Sequence, residues 1–109
     1  MSPIRSFRQH RRKSHRAVAA DRFYKAIRET YKYREWRSSI FLRDDFSCVL
    51  CGVRGVELNA DHFPIKFIDI INEYNIKTLD EALECNEFWN INNGRTLCLK
   101  CHRETDTWG

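Results

Sequence analysis

A small α+β domain stapled by a metal is the fold class that this chain of 109 residues predicts, and three observations predict it. Two Cys-x-x-Cys pairs stand far apart, at Cys48–Cys51 and Cys98–Cys101. Helical periodicity runs through residues 17–45, behind a basic N-terminal stretch. Short β-type runs flank the first cysteine pair. Apolar residues make up 42% and charged residues 31%, a globular balance at a length that suits one domain. A core this small gains from a staple. Seven Phe, four Tyr and three Trp supply much of its apolar area.

Residues 1–16 hold a dense basic cluster with no apolar period and read as a flexible arm. From Ala17 the chain reads as helix, with Ala20, Phe23, Ile27 and Tyr31 on one face. A second helical segment places Trp36, Ile40 and Phe41 together before Arg43-Asp44-Asp45. Phe46 to Leu50 and Val56 to Ala60 read as the two strands of a hairpin around the Gly52–Gly55 turn, carrying the first cysteine pair. Ile65 to Tyr74 reads as helix, since Ile68, Ile71 and Tyr74 recur every three residues. Thr78-Leu-Asp-Glu81 is a capping box that opens another helix, taking in Ala82, Leu83 and Phe88. Asn92-Asn93-Gly94 signals a turn, Arg95 to Leu97 leads into the second pair, and a short helix begins at His102.

Charge divides the chain. Residues 1–45 carry 13 Lys/Arg against 5 Asp/Glu, whereas residues 46–109 carry 6 against 10. A basic arm on a mildly acidic domain points to a polyanion partner, with the chemistry housed in the domain. The competing reading is a solvated helix face and tail. No apolar run approaches the roughly 20 residues that span a bilayer, and the basic start is unlike a secretory leader. The expected setting is the cytoplasm, with no membrane partner.

Five cysteines in such a setting argue against disulfides. Thiolates two residues apart grip one tetrahedral ion from a tight turn, and two such knuckles complete a closed site. Cys48, Cys51, Cys98 and Cys101 therefore read as ligands of a structural Zn2+. Gly52 permits the first turn. A redox pair, or buried thiols packed by chance, are the rivals, but a redox site needs only one pair. Cys85 reads as a small core residue on a helix.

Two of four histidines, His10 and His15, belong to the arm. His62 follows Asp61, and His102 follows the last cysteine of the second pair. A closed four-cysteine zinc leaves no position for substrate, so catalysis needs a second ion. Asp61 with His102 can ligate it, and His62 suits a general base.

The order of these residues resembles the HNH endonuclease family over residues 36–109. Trp36-Arg37, Arg43-Asp44-x-Phe46-x-Cys48, Ala60-Asp61-His62, Asn93-Gly94-Arg95-Thr96-Leu97-Cys98 and Cys101-His102 carry the resemblance, with the closing Thr105-Asp106-Thr107-Trp108-Gly109. It implies a small ββα-metal, treble-clef-like unit at residues 46–109. There the four-cysteine zinc is a brace, residues 17–45 are a DNA-contacting helical extension, and helices are inserted around residues 65–90. His62 would deprotonate the attacking water, and Asp61 and His102 would bind a catalytic divalent ion such as Mg2+ or Mn2+. Asn93 would hold hairpin and loop in register. The substrate implied is DNA, nicked or cut through both strands to 5′-phosphate and 3′-hydroxyl ends. Arg5, Arg8, Arg11, Arg12, Lys13, Arg16, Arg95 and Arg103 are the candidate phosphate contacts. The cell implied is bacterial or phage-infected, where a phage packaging assembly or another protein is a candidate partner. The alternatives are a zinc-finger nucleic-acid-binding module without catalysis and an accessory subunit of a larger phage or repair nuclease complex.

Overall fold

The computed structural model describes residues 14–106. Arg5, Arg8, Arg11, Arg12 and Lys13 lie outside them, as do the last three residues. Helix α1 spans His15–Arg28 and α2 spans Tyr31–Arg43. They part at Thr30, whose hydroxyl donates to the Ile27 carbonyl (2.8 Å) and accepts from the Tyr33 N–H (3.2 Å). That pair of bonds caps the second helix and ends the first. Strand β1 is Leu58–Asp61 and β2 is Arg95–Cys98. Between them lie α3 (Phe67–Glu73), α4 (Leu79–Glu84) and a 3-10 turn at Asn86–Trp89. Helix α5, Leu99–Arg103, follows β2 without a break.

The α+β class stands, with one two-stranded antiparallel sheet in which Leu58 pairs with Cys98 and Asp61 with Arg95. The expected hairpin does not form. Asp45 and Phe46 both take a left-handed backbone (φ 58° and 53°), which breaks any strand at that point. The Cys48 N–H then bonds the Val53 carbonyl and the Gly52 N–H bonds the Cys48 carbonyl, so the segment closes into a knuckle. Gly52 at φ 80° supplies the turn. Strand β1 pairs instead with the segment that enters the second knuckle.

Three buried clusters hold the chain. Ile27 of α1 packs with Ile70, Ile71, Ile76, Ala82 and Phe88, all from the excursion between the strands. Trp36, Ile40 and Phe41 of α2 pack on Ala60 of β1. Leu97 packs with Cys48 and Cys98. In α3 the inward residues are Ile70 and Ile71, while Ile68 and Tyr74 face solvent, so the expected stripe is rotated. Phe67 starts the helix facing inward, and its neighbours three and four residues on share that face. The Thr78 capping box is present. Helix α4 stops at Glu84, and Cys85 caps it, half-buried against the first cluster rather than within a helix.

Helix α2 is tied to β2 by its last residue. Arg43 pairs with Asp44 (2.8 Å) and donates to the carbonyls of Ile91 and Gly94, both at 2.8 Å. Asp44 in turn accepts from the Thr96 N–H at 3.0 Å. Gly94 passes so close to α2 that a Cβ there would lie 2.6 Å from Ile40 Cδ1 and 2.7 Å from Trp36 Cζ2. Among the described residues, no helix is long and apolar enough to cross a membrane.

Candidate functional site

The sheet is four residue pairs long, and each end presents a different set of donors. At the Cys98 end, one ligand atom from each of Cys48, Cys51, Cys98 and Cys101 lies within 4.8 Å of the others. Cys51 and Cys98 sulfurs stand 3.8 Å apart. A tetrahedron with zinc–sulfur bonds of about 2.3 Å has edges of about 3.8 Å, so the donor set fits a zinc ion. Burial alone would raise the Cys48 thiol, but backbone groups of Cys98, Cys51 and Leu50 bring it down to about 6. The Cys98 side chain, burial and the other sulfurs push Cys101 up to about 12. One thiolate is thus already favoured in the cluster, and a dication removes the penalty on the rest. Among the described residues this is the one group of three or more such donors.

Asp61 and Arg95 face each other at the other end. The Arg95 Nε donates to Asp61 Oδ2 at 2.9 Å, and Asp61 Oδ1 lies 3.7 Å from His102 Nε2. All three side chains are at most 15% exposed. The Arg95 guanidinium also lies 3.8 Å over the Phe63 ring. Arg95 is therefore turned inward to Asp61, and not outward as a phosphate contact requires. Burial lowers the His102 pKa against the pull of Asp61, which favours the neutral, metal-binding imidazole. Asp61 and His102 could each offer one ligand atom to a divalent ion.

His62, the next residue along, is enclosed by aromatic rings. It is 5% exposed and stacks on Trp36, ring centres 4.0 Å apart and nearly parallel, with Phe67 and Phe88 edge-on. Its Nε2 lies 3.0 Å from the Phe88 carbonyl, which can only accept, so Nε2 carries the proton and Nδ1 the lone pair. Burial pushes the imidazole down to about 4, opposed by that carbonyl and by Asp61. Asn93 is buried, and its two ends grip one residue: Nδ2 donates to the Ile65 carbonyl (2.9 Å) and Oδ1 accepts from the Ile65 N–H (2.8 Å). Arg16 in the first turn of α1 and Arg103 in α5 are both exposed.

Sequence reasoning brought Asp61 and His102 together and found the cysteines. It placed Trp36 and Phe88 on helices but gave neither of them, nor Phe67, a part at His62, which the three enclose from separate elements. The Asp61–Arg95 pair was readable only once the strand register was known. No family model matches the chain, and neither the curated proteins nor the solved structures give a significant match.

Proposed function

We propose that the chain is a metal-dependent endonuclease of the HNH kind, hydrolysing DNA phosphodiester bonds with His62 as general base. The observation that carries this reading is the meeting of Asp61 Oδ1 and His102 Nε2, 3.7 Å apart, on a sheet whose far end is a four-cysteine cluster. On this reading β1, β2 and α5 are the two strands and helix of a ββα-metal unit, with α3, α4 and the 3-10 turn inserted between the strands. A divalent ion, Mg2+ or Mn2+, would supply charge for the phosphate and for the leaving 3′ oxygen. Arg95 fixes one Asp61 oxygen and leaves the other facing His102. The Phe88 carbonyl fixes the tautomer of His62, so Nδ1 is the atom that takes the proton from water. Asn93 holds Ile65, and with it the chain that leaves His62.

The burial of His62 favours a second reading, a zinc-braced nucleic-acid-binding module or accessory subunit in which that ring is a core residue. Incubation of the pure protein with supercoiled plasmid, with and without Mg2+ or Mn2+, separates the two. Metal-dependent nicking or linearisation is the expected result. Plasmid that stays supercoiled under conditions where a duplex binds would leave the second reading standing.

A further inference from the structure

The four-cysteine end of the sheet carries apolar side chains that face solvent. Val49 and Leu50 of the first knuckle and Val56 after it are 47%, 56% and 48% exposed. Val56 also walls a groove of about 490 Å3, together with Val53 and Leu99. Apolar residues scattered singly over a surface are ordinary, but a concave apolar patch on a small domain marks an interaction surface.

Two charged side chains line the groove, and they indicate what covers it. Glu57 directly precedes β1, and Lys100 is the second residue of α5, which follows β2. The register sets Leu58 opposite Cys98, so the acid comes from the start of one strand and the base from the end of the other. Both are exposed, and among the described residues neither forms an ion pair. An apolar patch with one acid and one base beside it is complementary to itself. A two-fold axis through it lays Glu57 of each copy against Lys100 of the other. A partner surface of a single sign would instead meet one of the two charges in opposition.

We propose that this groove is the contact face of a two-fold homodimer, with the apolar side chains of the two copies packed together and Glu57 paired with Lys100 twice across the axis. The groove takes no residue from the Asp61–His102 pair, and the proposal does not depend on the nuclease reading. Sedimentation velocity of the zinc-loaded full chain over a rising concentration series tests it, and a monomer–dimer equilibrium is the expected result. Because each contact occurs twice, Glu57→Lys removes both ion pairs and sets like charges face to face. It should raise the dimer Kd about tenfold, and Lys100→Glu should do the same. Combining the two substitutions exchanges the charges and should restore the parental Kd. Val56→Asp brings an unpaired charge into the contact and should raise Kd by about 10²-fold with zinc content unchanged.

A parent that sediments as a monomer at every concentration overturns the proposal and leaves the groove to a different protein. An assembly larger than a dimer, or a dimer indifferent to both single charge reversals, overturns it as well. So does a charge exchange that fails to regain the parental Kd. If Val56→Asp loses its zinc, the charge exchange decides, since both of its side chains are exposed: restoration supports the two-fold face, and failure overturns it.

Discussion

His62 combines a packing position with a reactive atom, and its behaviour in acid follows from both. Folded, the imidazole is held at about 4 by burial, against an ordinary 6.5. The unfolded chain binds the proton first, so this stabilisation is complete above pH 6.5 and is lost as pH falls towards 4, to a limit of about 3 kcal/mol. Urea unfolding at pH 7 and pH 5 should show a larger loss for the parent than for His62→Asn; equal losses would mean that the ring is not held neutral. For activity, His62→Ala should lower cleavage by about 10²–10⁴-fold while zinc content and duplex binding persist. His102→Ala removes a metal ligand instead, and its defect should shrink as divalent ion is raised. Metal rescue of His62→Ala but not of His102→Ala would invert the two assignments. Asn93→Ala removes two half-buried hydrogen bonds to Ile65, each worth about 1 kcal/mol, and should lower stability and cleavage together without changing zinc content.

At the level of elements, the helices were legible and the sheet partner was not. Thr78 and Glu81 announce α4 by local chemistry, and the spacing of Trp36, Ile40 and Phe41 announces α2. A β-type run says nothing of what it pairs with. Residues 46–50 looked like the near partner of β1, yet the knuckle takes the Cys48 N–H for the Val53 carbonyl and sends the Val49 N–H to Thr96 on β2. The closed backbone of the knuckle outweighed strand preference there. The site shows the same division. Asp61, His62, Asn93 and His102 could be read as a string of residue types, but the inward turn of Arg95 depends on a cross-strand register set 34 residues away. The turn after Asn93 gives a direct test of how α2 meets the sheet. Gly94→Ala drives a methyl into Ile40 and Trp36 and should cost about 1–3 kcal/mol, read as a lower urea midpoint. A parental midpoint would show that α2 can draw back without penalty.

For the whole molecule the four-cysteine cluster and the basic arm set the two broadest expectations. Structural zinc contributes folding free energy outright, so a strong chelator, or Cys48→Ser with Cys98→Ser, should abolish the cooperative unfolding transition. A double variant that still melts cooperatively would remove the zinc brace from the account. Deleting residues 1–13 should weaken duplex binding for all sequences alike and flatten its salt slope, if Arg5, Arg8, Arg11, Arg12 and Lys13 meet phosphates. The distribution of the core has a different kind of consequence. Helix α1 contributes Ile27 to a cluster made otherwise of the excursion between the strands, whereas α2, the sheet and the knuckles have clusters of their own. Asn93 closes the excursion by gripping Ile65 where it departs. First helix and excursion thus share one apolar cluster, and either alone would bare the apolar face of the other. The excursion also puts Phe67 and Phe88 around His62, so its packing governs how basic the imidazole is.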